Sequence, residues 1–147
     1  MCSRFIGTAA GKIVMEYMFL IYSSKERKAA VNETEMQERI ERAKAAWEEA
    51  VARGVFKSAS PLEPPETAIT ARAKDGRVVL TDGPFAETKE FLAGYWILDC
   101  ANQEEAKAWA SRLCDSVCTG TVEFRALASM PEILRRMREA GAQMVNA

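Results

Sequence analysis

The stretch LTDGPFAETKEFLAGYW, residues 80–96, decides how the chain divides into strands. Asp82-Gly83-Pro84 closes one apolar run, and a second apolar run starts at Gly94. Asp can accept a hydrogen bond from the backbone two residues on, Gly is free in φ, and Pro has no amide proton for strand pairing. By residue chemistry alone, the segment is therefore a turn between two strands.

The residues before this turn predict a β-hairpin. Two strand-like runs, residues 67–73 and 77–81, flank Lys74-Asp75-Gly76. Asp-Gly between such runs is a strong hairpin signal, because glycine accepts the positive φ that the tight turn requires. After the hairpin, we expect residues 86–92 to form a helical turn.

Hydrophobic periodicity predicts the other elements. Apolar residues at steps of three and four indicate amphipathic helices, whereas short apolar or alternating runs indicate strands. One helical stripe contains Met36, Ile40 and Trp47, and another contains Trp109 and Leu113. The predicted strands are residues 17–22, 55–58, 67–73, 77–81, 94–100 and 119–127, and the predicted helices are residues 33–53, a segment after Asn102, and residues 129–141.

The resulting order is β, α, β, hairpin, β, α, β and a terminal helix. It matches an α+β fold with the ferredoxin-like split βαβ arrangement and an antiparallel sheet. Helices would cover one sheet face and leave the other bare, with Tyr17, Phe19 and Tyr95 on it, depending on register. A bare apolar face of this size usually marks an interface, so we expect a homodimer through the open sheet face that encloses a pocket.

The chain divides into three predicted parts. Residues 1–14 have no sustained period and are expected to be a flexible N-terminal extension. Residues 15–128 form the ferredoxin-like domain, and residues 129–147 form a C-terminal helix and tail. At 147 residues the chain is long enough to bury a core as one domain.

Composition argues against several classes of function. The net charge of -1 provides no basic surface for nucleic acid or an anionic membrane. The chain has no histidine, the commonest metal ligand, and its four cysteines are poorly spaced for zinc, so we expect no metal and no cofactor. No run of apolar residues is long enough to span a membrane, no signal peptide is evident, and a cytoplasmic location is expected. The cysteines are Cys2, Cys100, Cys114 and Cys118, which we interpret as reduced thiols.

Ionisable side chains around the turn indicate a candidate site. Asp82 is the candidate catalytic residue, because a carboxylate held at a strand end beside apolar rings can act as a general acid or base. Lys89 or Tyr95 could stabilise developing negative charge. The candidate ligand-binding residues are Gly83, Pro84, Phe85, Glu87, Lys89 and Tyr95.

Residues 82–90, with the strand from Gly94 to Asp99, resemble the DGPF subgroup of the YCII-related proteins. The opening run at residues 15–22, the helix with Trp109 and the strand at residues 122–125 lie where that family has them. The resemblance spans roughly residues 15–128. It implies a ferredoxin-like fold paired into a dimeric α+β barrel, with a cleft built around an aspartate, the position that Asp82 matches.

Two functions follow from this resemblance. Many YCII-like members place a histidine beside the aspartate, which this chain cannot do. The first hypothesis is a protein that binds a small molecule in a dimer-interface cleft, with Asp82-dependent acid/base catalysis. The alternative is a non-catalytic module that binds a ligand or a partner and is linked to sigma-factor-type transcriptional regulation.

Overall fold

The computed structural model describes residues 7–9, 12–117 and 120–145. Its elements follow the predicted order, with an additional short strand and an additional short helix near the N-terminus. The strands are β1 (Gly7–Ala9), β2 (Lys12–Ser24), β3 (Phe56–Pro61), β4 (Ile69–Lys74), β5 (Arg77–Asp82), β6 (Glu90–Cys100) and β7 (Thr121–Ala126). The helices are α1 (Lys25–Ala30), α2 (Glu33–Ala52), α3 (Gln103–Ser116) and α4 (Met130–Val145).

The main sheet has the ferredoxin-like topology. Strand β2 pairs antiparallel with β6 along one edge and with β7 along the other. Strand β6 in turn pairs antiparallel with β3. The order β7-β2-β6-β3 places the first and third strands of the split βαβ motif at the centre. The predicted α+β fold with an antiparallel sheet is confirmed.

The hydrophobic core lies between this sheet and helices α2 and α3. Phe19 of β2 and Leu98 of β6 are fully buried, and they cluster with Ala50 of α2 and with Trp109 and Leu113 of α3. Because the side chains of a strand alternate between its two faces, burying Phe19 and Leu98 leaves their sequence neighbours on the opposite face. We call that opposite surface the open sheet face.

The register corrects the prediction for two aromatic residues. Tyr17 and Phe19 belong to the buried cluster and face the helices, whereas Tyr95 lies on the open sheet face as expected. Sequence alternation separates the two sets but cannot say which one the helices cover. Tyr95 pairs with Leu20, and the open sheet face therefore carries Leu20 in place of Tyr17 and Phe19.

Helix α2 buries a narrower stripe than its pattern suggests. Ala46 and Ala50 are its buried residues, whereas Ile40 and Trp47 of the predicted apolar stripe are exposed. The Trp47 ring still contacts Phe56 edge to face, with 6.4 Å between ring centroids. Small alanines bring the helix close to the sheet, and the larger apolar residues lie at its side.

One local prediction is wrong. Residues 86–92 form no helical turn, since an irregular loop leads directly into β6 at Glu90. Within residues 1–14, Gly7–Ala9 pairs antiparallel with the start of β2, so these residues form strands, while residues 1–6, 10 and 11 lie outside the described part. The division into an extension, a domain and a C-terminal helix stays a prediction.

The predicted hairpin forms a separate two-stranded sheet of β4 and β5. Its turn contains Asp75 with φ 51° and Gly76 with φ 73°, the left-handed conformations that a two-residue turn of type I′ requires. Gly83 joins the base of the hairpin to the preceding loop through its amide, which donates to the Ala68 carbonyl at 2.7 Å. The Asp-Gly signal therefore predicted the hairpin correctly.

The terminal helix α4 is capped and carries arginines paired with glutamates. The Glu132 amide donates to the Ser129 hydroxyl at 3.3 Å, and Arg135 and Arg136 both pair with the Glu132 carboxylate. These bonds lower the pKa of Glu132 to about 2. Among the described helices, none combines the length and the apolar character needed to cross a bilayer.

Candidate functional site

Asp82 is the last residue of β5 and pairs with Ile69, the first residue of β4. Asp82 shares one face of the hairpin with Leu80, Val78 and the apolar side chains opposite them on β4, because every second residue of a strand points the same way. Leu80 and Val78 are exposed, at 68% and 72% of their surface, and Asp82 is exposed as well. The carboxylate thus lies at one end of an uncovered apolar hairpin face.

Hydrogen bonds from side chains of β4 to backbone carbonyls hold the loop that follows Asp82. Thr70 donates its hydroxyl proton to the Gly83 carbonyl at 2.8 Å, and Arg72 donates to the Phe85 carbonyl at 3.4 Å. Gly83 has φ 91°, a conformation that residues with a β-carbon rarely adopt. The Phe85 ring is 77% exposed. The loop backbone is ordered by these bonds while the ring itself faces outward.

The other predicted ligand-binding residues are not all gathered at this loop. Pro84, Glu87 and Lys89 are exposed along it. Tyr95 lies on the open sheet face, where its hydroxyl is 3.3 Å from the Ser58 hydroxyl on β3. Within one chain, the predicted residues therefore divide into an exposed loop around Asp82 and a half-buried hydroxyl pair on the sheet.

A charged cluster outside the predicted site lies farther along the open sheet face. Asp99 is opposite Glu16 in the β2–β6 ladder, and the Lys57 ammonium lies 3.3 Å from the Asp99 carboxylate and 3.9 Å from that of Glu16. The Asp99 side chain is only 5% exposed. Buried carboxylates are normally paired, and Lys57 is the partner here. Asp99 alternates with Tyr95 and Ile97 on this face, and its charge within an apolar strand was the available sequence signal.

Two cavities open on other parts of the chain. One, of about 520 Å³, lies where the end of β2, the end of β3 and the start of β6 meet α1, and its lining includes Lys25, Lys28 and Glu66. Lys25 donates a hydrogen bond to Glu66 at 3.0 Å, which lowers the pKa of Glu66, and the positive charge of Lys28 lowers it further. The other cavity, of about 400 Å³, is lined partly by Arg27 and Cys114. The predicted site residues line neither of these two cavities.

The cysteines of the described chain have different surroundings. Cys100 is buried in the core, and burial raises the pKa of its thiol to about 12, with the Glu105 and Asp99 carboxylates adding to the shift. Cys114 is an exposed free thiol. Cys2 and Cys118 lie outside the described residues. In the part of the chain that the structure describes, no three acidic, cysteine or histidine side chains converge as a metal site.

The family model for the YCII-related domain matches residues 15–140. The chain belongs to the YCII-related family. An uncharacterized protein of Rhizobium meliloti (strain 1021) is 34% identical over 115 residues, which cover 78% of this chain and 93% of that relative. The family assignment agrees with the ferredoxin-like topology, and the DGPF subgroup stays a prediction.

Proposed function

We propose that this YCII-related chain binds a small molecule over the open sheet face, in a cleft completed by a second copy. The observation that carries the proposal is the Tyr95–Ser58 hydroxyl pair, which lies beside Leu20 and Ile97 on a sheet face outside the core cluster. A few directional polar groups on an apolar surface are typical of ligand sites. Lys57, with Glu16 and Asp99, adds charged groups to the same face.

A second copy of the chain would cover the apolar surfaces that a single chain leaves exposed. Two-stranded hairpins are marginally stable in water unless a face packs against something. The β4–β5 hairpin leaves Ile69, Val78 and Leu80 exposed, in addition to the half-buried side chains of the open sheet face. Symmetric pairing would cover equivalent patches on both copies at once. A homodimer through the open sheet face is therefore part of the proposal.

The proposal includes catalysis, in which Asp82 acts on the bound molecule as a general acid or base. Asp82 lies at the end of the apolar hairpin face, where a second copy would enclose its carboxylate within reach of a bound ligand. Gly83, Pro84, Phe85, Glu87 and Lys89 would then line the ligand beside it, with Tyr95 or Lys89 stabilising negative charge. Because the chain lacks histidine, Asp82 would act without an imidazole partner.

A second candidate function is a non-catalytic regulatory module linked to sigma-factor-type regulation. It is favoured by one observation: within the described residues the Asp82 side chain is exposed and is not hydrogen-bonded to any general base. The cytoplasmic location belongs to both candidates and is supported by the free thiols of Cys100 and Cys114.

The test combines a binding screen with two substitutions. Small carboxylic acids and lactones are screened by thermal shift and by product analysis with the wild type, Tyr95→Phe and Asp82→Asn. We expect Tyr95→Phe to weaken binding of any hit by roughly tenfold, about 1.4 kcal/mol, because the ligand would lose its hydrogen bond to the Tyr95 hydroxyl. If Asp82→Asn abolishes turnover but retains binding, Asp82 is the catalytic group. If no compound is converted and hits bind Asp82→Asn normally, the regulatory module is the better description.

Sedimentation equilibrium tests the dimer separately. Leu20→Lys places a charge in the middle of the open sheet face and should produce monomers, whereas Val51→Lys on the exposed side of α2 should leave the mass unchanged. Circular dichroism shows whether each variant is folded. A folded Leu20→Lys variant with the mass of the wild type would contradict pairing through this face.

A further inference from the structure

The larger cavity has an apolar wall that contains three prolines. Three prolines and four other apolar residues contribute to its lining. They are Ala29, Pro61, Leu62, Pro64, Pro65, Phe91 and Ala93. Proline rings have fixed backbone geometry, so this wall loses little conformational freedom when it contacts a ligand. At about 520 Å³ the cavity lies within the size range of small-molecule sites.

The charges at the rim leave one cation in excess. Lys25 is engaged by Glu66 at 3.0 Å, whereas Lys28 forms no ion pair with any described residue. Two lysines against one glutamate leave a single positive charge beside an apolar wall. That combination favours an anion with one charge and an apolar body.

Ser23 supplies a polar group inside the cavity. It is only 8% exposed and lines the cavity opposite Phe91 in the β2–β6 ladder. Its hydroxyl makes no side-chain hydrogen bond to another described residue, and it is not among the described polar atoms that are buried without a partner, so it stays accessible from the cavity. A carboxylate oxygen that reached this depth would accept the hydroxyl proton.

We propose that this cavity is a binding site for a small apolar carboxylic acid, with its carboxylate held by Lys28 and Ser23 and its body against Phe91 and the prolines. This site goes beyond the proposed function, since its lining contains neither Asp82 nor Tyr95. Inorganic phosphate is also an anion and could bind Lys28 and Ser23. Phosphate, however, makes no use of the apolar wall.

Phenylacetate is the probe, with the neutral phenylacetamide and inorganic phosphate as comparison compounds. Each is titrated into the full-length protein labelled with nitrogen-15, and amide shifts are followed. We expect phenylacetate to shift the amides of Ser23, Lys28, Phe91 and Ala93 saturably, and phenylacetamide to bind at least fivefold more weakly. Lys28→Gln and Ser23→Ala should each weaken phenylacetate severalfold. Lys44→Gln, at an exposed lysine of α2 paired with Glu48, should leave its affinity unchanged.

Three results would overturn this proposal. Equal affinity for phenylacetate and phenylacetamide would remove the role of charge. Phosphate binding with no response to phenylacetate would remove the role of the apolar wall. Phenylacetate shifts confined to Tyr95 and the open sheet face would assign the acid to the cleft of the proposed function instead. Failure of the Asp82 and Tyr95 experiments leaves these expectations unchanged.

Discussion

Asp82 lies directly opposite Ile69 in the β4–β5 ladder, so the proposed catalytic carboxylate shares a hairpin face with Leu80 and Val78. The opposite face of the same hairpin carries Thr70, Arg72 and the other alternate residues. A single hairpin thus separates an apolar face that ends in a carboxylate from a polar face. This separation provides matched positions for testing which face a second copy covers.

Leu80→Lys should weaken dimerisation while Val79→Lys should not. Both residues are exposed neighbours on β5, but only Leu80 lies on the apolar face with Asp82. Burying a lysine without a partner is costly, so we expect the dimer dissociation constant to rise roughly tenfold or more with Leu80→Lys. Sedimentation equilibrium measures this constant. Equal masses for both variants and the wild type at every concentration would show that this face stays uncovered.

Gly94→Ala should destabilise the fold. A β-carbon at Gly94 would lie 2.7 Å from the Ser60 carbonyl oxygen and 3.1 Å from the Pro61 α-carbon, both backbone atoms of β3. Strands β3 and β6 would have to separate locally, and we expect a loss of roughly 1–3 kcal/mol in the free energy of unfolding. Urea titration measures the loss. Gly141→Ala is the control, since nothing lies within 4 Å of its β-carbon position, and equal losses in the two variants would contradict the steric explanation.

Cys114 should react with thiol reagents in the folded protein, and Cys100 should not. The thiolate is the reactive form, and the buried Cys100 thiol has its pKa raised to about 12. Because this folded pKa exceeds the ordinary value of 9.0, the neutral thiol contributes stability below pH 9.0. That contribution is lost progressively as the pH rises toward about 12.

An aromatic disulfide reagent at about pH 8 checks this prediction, since little thiolate forms there on a buried thiol. Cys2 and Cys118 are replaced by serine in the background. In that background Cys114→Ser should abolish the fast reaction, and Cys100→Ser should leave it unchanged. Fast labelling that survives Cys114→Ser would mean that the core around Cys100 opens readily.

Helix α4 should lose stability in acid between pH 4.5 and about 2. Hydrogen bonds from Arg135 and Arg136 lower the pKa of Glu132 from 4.5 to about 2. The folded pKa lies below the ordinary one, so the pairing contributes fully above pH 4.5 and is lost as the pH falls through the folded value. Amide hydrogen exchange of α4 as a function of pH, corrected for intrinsic rates, measures the effect. Glu132→Gln should remove it, and an unchanged pH dependence in that variant would assign the effect to other groups.

Local patterns were enough to predict much of this fold. The Asp75-Gly76 turn was correctly predicted, because its dihedral requirement is met by these residue types alone. Helices α2 and α3 were predicted from the spacing of their apolar residues, and the structure shows that the side chains of Asn32 and Asn102 cap them by accepting backbone amide protons. The loop before β6 was not, because competition between a helical turn and an irregular loop is settled by neighbouring strands.

Which side chains are buried, paired or line a cavity is known only from the tertiary structure, because it depends on contacts between residues far apart in the chain. Alternation along β2 separated Tyr17 and Phe19 from Leu20, but packing on α2 and α3 decided that the aromatic pair is buried. The Lys57–Asp99 pair and the cavity that joins Ser23 to Phe91 exist only through the β2–β6 and β3–β6 registers. The order of elements thus follows from local dihedral and hydrophobic preferences, whereas the faces, charges and cavities follow from strand register and helix packing.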